Sequence, residues 1–227
     1  MKALLYKEFR LAVHPLCYFF VLLFPLMALI PVYPLGVSFI YVITCYPIIF
    51  LGANKGQQSN DLLYSTLLPV RKKDIVLARI ITIAILQFAF IAIMSALSPL
   101  AMMIQQYLES VGEKTTPGLN IYGYVSVLAF AIVGFALCDL IFFPIYYKHG
   151  KSIVMSTLFT ILGFILYIGI TTLLIPLVPG GEGYMNLFCY SGPGPQFIAL
   201  GIALVFYAAI HFAVYFVASK NLEKVDF

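Results

Sequence analysis

Apolar residues in this chain fall in long blocks, broken by short polar stretches. A bilayer-spanning helix needs roughly 20 predominantly apolar residues, because each residue rises about 1.5 Å. Six blocks approach or exceed that length, at 16–34, 36–53, 75–103, 121–147, 152–178 and 197–218. The first two are close to the minimum and carry Pro25, Pro31 and Pro47, with Pro34-Leu35-Gly36 as a tight turn between them. The pattern predicts an all-α fold: a polytopic membrane protein of six transmembrane helices, built as one domain over residues 1–227.

Two polar stretches carry a pattern of their own. Residues 1–14 read as a short interfacial helix, an elbow on the cytoplasmic surface. Leu4, Leu5, Phe9 and Ala12 share an apolar side, while Lys2, Lys7 and Arg10 reach toward anionic headgroups. The simpler reading makes this stretch the wet start of the first crossing. Residues 54–74 form a cytoplasmic loop, and within it Asn60 to Leu68 reads as a short amphipathic helix. Asn60 or Asp61 caps it and Pro69 stops it. Leu63, Tyr64 and Leu67 form a docking side, followed by Arg71, Lys72, Lys73 and Asp74. The plain alternative is a polar connection whose apolar residues rest on the bilayer.

Composition agrees with the blocks. Of 227 residues, 63% are hydrophobic and 10% charged, against about 25% charged in an ordinary soluble domain. No room remains for a soluble catalytic domain. The net charge of +4 does not point to nucleic acid, which would need a basic face on a soluble fold. The basic residues instead set orientation. With six crossings and both termini in the cytoplasm, 12 of the 13 Lys and Arg residues lie inside and only Lys114 outside. Trp is absent, so Tyr and Phe must form the interfacial belts. Tyr18, Tyr107, Tyr146, Tyr147 and Tyr215 lie near predicted helix ends. Gly134, Gly163 and Gly169 would let helices approach closely. Pro25 and Pro31 within the first block, with no small-residue cleavage site after it, argue against a cleaved signal peptide.

Candidate chemistry is sparse. Cys17, Cys45, Cys138 and Cys189 show no metal-ligand spacing and no evident disulfide partner. His14, His149 and His211 match no metal motif, and His211, inside the last crossing, is suited to a hydrogen bond across helices. No nucleophile elbow is present, and no pair of intramembrane carboxylates, so an enzyme is not expected. Asp139 is the one carboxylate well inside an apolar block, which makes it an intramembrane candidate by default. It has no evident basic partner in the membrane, and snorkelling to the cytoplasmic interface is its structural alternative. The absence of a Walker A motif places any nucleotide on another chain.

The stretch Leu62 to Ile80, LLYSTLLPVRKKDIVLARI, resembles a segment that permeases of the ABC-2 family carry between their second and third helices. Leu68-Pro69-Val70, Arg71, Lys73-Asp74-Ile75-Val76 and Arg79 fall on that pattern. Lys72 and Arg79 are mild departures from it. The opening Leu5-Tyr6-Lys7-Glu8-Phe9-Arg10 is similar to the family's N-terminal segment.

The resemblance implies a permease subunit of a compact six-helix bacterial exporter, multi-pass in the cell membrane. A second permease subunit, identical or related, would pair with it, and each would engage a separate ABC ATP-binding subunit. Residues Asp61, Leu63, Tyr64, Leu67, Leu68, Pro69, Arg71 and Lys73 would form the coupling element, and Lys7, Glu8 and Arg10 the elbow. This chain would bind no cofactor and no metal, with ATP and Mg held by the partner. The implied cargo is an amphipathic peptide, a bacteriocin or a drug-like molecule. An ATP-independent secondary transporter and a non-transporting immunity or scaffold protein remain the alternatives.

Overall fold

A computed structural model describes residues 2–13, 15–29, 41, 70–111, 121–149, 153–171 and 193–224. All regular structure among them is helical. Helix α1 covers Lys2–Lys7 and passes into a π-helical turn at Glu8–Ala12. Helix α2 covers Pro15–Leu26 and tightens into a 3-10 turn at Met27–Leu29. Helix α3 runs over Lys72–Ser110, α4 over Ile121–His149, α5 over Ile153–Gly169 and α6 over Pro193–Glu223.

The ends of these helices follow from local chemistry. Pro15 opens α2 and Pro193 opens α6; proline suits the first helical position because its fixed φ is helical and its missing N–H would have had no partner. Val13, at φ −82° and ψ 118°, breaks the path before Pro15. The segments on either side of the break, Lys2–Arg10 and Pro15–Leu26, diverge by 78°. Helix α3 is longer than the apolar block that predicted it. It begins at Lys72, inside the stretch expected to be loop, where Asp74 lies in the first turn and favours the helix dipole. At the other end Gln105, Gln106 and Tyr107 continue the helix, since nothing from Leu100 to Val111 breaks it and Gln is a good helix former. Its 39 residues would span about 58 Å, so it must extend well beyond a hydrocarbon layer about 30 Å thick.

Three helices (α3, α4 and α6) are long and apolar enough to cross a membrane, and the bent pair of α1 and α2 would make a fourth. Helix α5 is apolar but shorter, at 17 residues. The block predicted at 36–53 lies, except for Tyr41, outside the described residues. The described residues therefore establish an all-α polytopic membrane protein with three or four spans.

Helix α4 is the centre of the bundle. Of its most apolar window 67% is buried, against 44% for α3 and 22% for α6. It packs most extensively on α6 and next on α5, while α2 rests on α3. The core joins Cys17, Val21 and Phe24 of α2, Ile83, Phe90 and Met94 of α3, Phe135 and Phe142 of α4, and Val214 and Ala218 of α6. Tyr41 packs its ring 4.5 Å from Phe90 and 5.2 Å from Phe135.

The outer surface is as apolar as the interior. Val154, Leu158, Leu162, Ile165 and Leu166 of α5 are exposed, while Ser156, Thr160 and Thr171 of the same segment are buried. Val205, Phe212 and Phe216 of α6 are exposed too. Such an apolar face is stable only against lipid or a partner, and inward small polar residues are the usual means of bringing helices together there. The α4–α5 approach depends on two glycines: a Cβ at Gly134 would sit 2.7 Å from Phe164 Cε2, and one at Gly163 would run into Ile141 Cδ1. Gly169, expected to act in the same way, has nothing within 4 Å of its Cβ position.

Candidate functional site

Among the described residues, two polar centres lie in this apolar bundle. The first joins the elbow to the helices. Glu8 is almost wholly buried, and its carboxylate takes Arg79 Nε at 2.8 Å on Oε2 and Arg79 Nη2 at 3.2 Å on Oε1. Arg79 also donates to the Tyr146 hydroxyl at 3.3 Å, and Lys7 Nζ lies 3.7 Å from Glu8 Oε1. The two-point guanidinium–carboxylate contact is the strong form of such a pair. One clamp thus ties the elbow to α3 and α4. Leu4 buries against Ile75 and Ala78 of α3, with Leu5 and Val70 packed beside them, so the elbow's apolar side meets protein as well as any bilayer. The hydroxyl of Tyr18 donates to the Phe9 carbonyl across the bend. Arg10 instead faces outward, bonded to the Tyr6 hydroxyl and lying over its ring at 5.6 Å.

The expected elbow residues Lys7, Glu8 and Arg10 therefore divide, with Glu8 structural and buried, and Arg10 at the surface. Of the expected coupling residues, Asp61, Leu63, Tyr64, Leu67, Leu68 and Pro69 lie outside the described residues. Arg71 and Lys73 are exposed at the start of α3, and Lys73 lies 3.3 Å from Glu223 at the end of α6. Asn221 donates to the Pro144 carbonyl at 3.0 Å at the same end. Basic residues of the elbow, of the start of α3 and of the ends of α4 and α6 thus collect at one end of the bundle. Tyr146 and Tyr147, expected in an interfacial belt, are buried there in an aromatic stack with Phe142 and Phe143.

The second centre is deeper. Asp139 of α4 is fully buried. Its Oδ2 accepts from Gln87 Nε2 of α3 at 3.0 Å, and Nε2 of His211 from α6 lies 2.9 Å from the same oxygen, close without being a straight hydrogen bond. Gln87 Oε1 accepts from the Tyr207 hydroxyl at 2.6 Å. The His211 ring stacks on Tyr207 at 3.9 Å, and its Nδ1 lies 2.9 Å from the Tyr207 carbonyl. Three helices contribute to this cluster. Asp139 is nine residues from Lys148, or about 14 Å along α4, near the middle of a hydrocarbon layer about 30 Å thick.

Two expectations change here. Asp139 was expected to lack a basic partner in the membrane, and His211 is that partner. Gln87 was not anticipated at all, although a lone amide amid Ile85, Leu86, Phe88 and Phe90 was a signal of the same kind as Asp139. Cys17 and Cys138 are buried free thiols. No group of three or more metal-ligating side chains occurs among the described residues. Between α4 and α6 an apolar cleft of about 190 Å³ opens, lined by Ser126, Phe130, Val133, Ala199 and Ile202 among others.

An apolar-faced helical bundle with a basic end, and with polar groups paired in its interior, is a multi-pass membrane protein. The chain belongs to the ABC-2 family: the family model described as "ABC-2 family transporter protein" matches residues 3–223. No curated protein and no solved structure matches the chain. Its class is thereby that of a permease-like component of an ABC transport system, in which the membrane component does not itself perform catalysis.

Proposed function

We propose that this chain is the membrane-spanning permease subunit of an ATP-driven exporter of the compact six-helix bacterial kind, seated in the cell membrane with both termini cytoplasmic. The observation that carries this reading is the family match over residues 3–223, which takes in the elbow, the 54–74 stretch and every described helix. An ABC ATP-binding subunit docks on Asp61, Leu63, Tyr64, Leu67 and Leu68, up to Pro69, with Arg71 and Lys73 beside them. Force enters α3 at Lys72 and passes through Arg79 and Glu8 to the elbow, whose interfacial side carries Lys7 and Arg10. A second permease subunit, identical or related, completes the pathway. The cargo is an amphipathic peptide, bacteriocin or drug-like molecule, a class that suits the apolar cleft beside Phe130 and Ile202. ATP and Mg belong to the partner, and this chain makes and breaks no covalent bond.

The test is co-purification in nanodiscs with the ABC ATPases of the host, comparing wild type with the Leu63→Asp, Leu67→Asp double variant. Stoichiometric binding by the wild type, lost in the folded variant, supports the permease and its coupling element. A folded wild type that captures no ATPase overturns both. The buried Asp139–His211 contact favours one second reading, an ATP-independent carrier, which would go on transporting without ATP and stop on Asp139→Asn.

A further inference from the structure

The cluster in the bundle interior imposes a proton count. Nδ1 of His211 lies 2.9 Å from the Tyr207 carbonyl oxygen. A carbonyl only accepts, so Nδ1 carries a hydrogen. In a neutral ring Nε2 then carries a lone pair, and Asp139 Oδ2 lies 2.9 Å from that nitrogen, off the straight line of a hydrogen bond. An ionised carboxylate brings a negatively charged oxygen that close to an unprotonated nitrogen, and the two repel. One proton removes the conflict, held either by the ring, as imidazolium beside carboxylate, or by the carboxyl, as an acid beside neutral imidazole. Both forms have zero net charge. Taking the proton away leaves a buried anion, and adding a second leaves a buried cation; each is costly in an apolar interior.

We propose that Asp139 and His211 form a membrane-embedded site for one proton, and that its occupancy holds α6 against α4. Gln87 is a positioning residue. The Tyr207 hydroxyl occupies its Oε1 at 2.6 Å, which turns Nε2 toward Asp139 Oδ2 at 3.0 Å. Among the described residues, the neighbouring titratable groups are the Cys138 thiol on α4 and the Tyr207 phenol on α6, both neutral at ordinary pH. Helix α3 offers Arg79 as its nearest charge, eight residues or about 12 Å away and engaged with Glu8. Described residues of α2 and α5 include no charged side chain. Among the described groups, Asp139 and His211 are thus the pair that shares the proton. It concerns this chain alone and uses no ATPase, so its failure would be distinct from failure of the exporter reading.

The experiment labels the intact chain with 15N-histidine and 13C-aspartate in nanodiscs at pH 7, and assigns His211 as the signal lost in His211→Gln. Expected is one filled seat: either an imidazolium at His211 with an ionised Asp139, or a neutral ring with a protonated carboxyl. In Asp139→Asn the His211 ring is neutral, so an imidazolium signal present in the wild type disappears. A bare Nε2 together with an ionised Asp139 in the wild type overturns the proposal, and this wild-type spectrum decides it even where a variant does not fold. Thermal unfolding reads the consequence. Well above about pH 6.5, the ordinary value of a histidine, the unfolded chain holds almost no proton on these two groups while the folded site holds one. Raising pH from 7 therefore lowers wild-type stability, by up to tenfold in the folding equilibrium per pH unit while the site stays loaded. Asp139→Asn and His211→Gln lose that dependence, and an unchanged slope in both overturns the link.

Discussion

Arg79 can be buried because Glu8 meets it with both carboxylate oxygens and Tyr146 takes a further N–H. Removing one partner strands the other charge away from water, which in buried pairs costs about 3–5 kcal/mol. Arg79→Met or Glu8→Gln should each lower stability in mild detergent by about that much, and the double substitution by clearly less than the sum. Equal additive losses would mean that the two residues act separately. The glycines form a second graded series. Ala at Gly134 pushes against the Phe164 ring and comes within 3.2 Å of Tyr167, which is held by its bond to the Phe130 carbonyl at 2.9 Å. Gly134→Ala should cost about 1–3 kcal/mol as an overpacked contact. Gly163→Ala meets the tip of a flexible Ile141 side chain and should cost less. Gly169→Ala meets nothing and should be neutral or gain a few tenths to about 1 kcal/mol from helix propensity. Unfolding midpoints of the three variants give the order.

Among the helices, the contacts at the basic end differ in what they can do. Asn221 of α6 reaches the Pro144 carbonyl of α4, a partly buried side-chain bond between two helix ends. Asn221→Leu should lose about 1 kcal/mol and raise amide exchange in the last turns of α6, with α3 unchanged. Lys73 and Glu223 lie at ion-pair distance, but both are about half exposed, and exposed pairs contribute little. Lys73→Ala should therefore leave the unfolding midpoint where it is while weakening capture of the ATPase, if the start of α3 belongs to the coupling element. A large loss of stability instead would reassign Lys73 to the fold. Helix α3 is the natural conduit between the two polar centres, since it carries both Arg79 and Gln87 and continues without a break from Lys72 to Ser110.

At the level of the whole molecule, the apolar outer faces of α5 and α6 mean that a charge introduced there is moved into lipid rather than into water. Val205 is among the most exposed residues of α6. Val205→Arg should cut membrane insertion and yield, at a cost of about 2.5–3.5 kcal/mol near a helix centre. Unchanged insertion would place this face against water. The elbow and the end of α6 both meet the start of α3, so the two ends of the chain lie at the same end of the bundle. A C-terminal fluorescent reporter should then be active in the cytoplasm, as should an N-terminal one. Reporters on opposite sides of the membrane would refute the even number of crossings that six spans require.

The long apolar blocks alone determined that the chain is helical and membrane-embedded, because a continuous apolar run of about 20 residues satisfies its backbone groups in lipid as a helix, whereas barrel strands are shorter and alternate. Lys72–Ser110 and Pro193–Glu223 outrun their apolar blocks, since helix ends depend on capping and propensity rather than on hydropathy. The basic clusters likewise predict an orientation, and Asp139 and the elbow were visible as residues at odds with their surroundings. Which groups answer those residues could not be read from order along the chain. Glu8 and Arg79 are 71 residues apart, Gln87 and Asp139 are 52 apart, and Tyr207 and Gln87 are 120 apart. Only the packing of α3, α4 and α6 brings them within hydrogen-bond reach, because hydropathy reports whether a residue suits lipid and says nothing about which helix stands beside it.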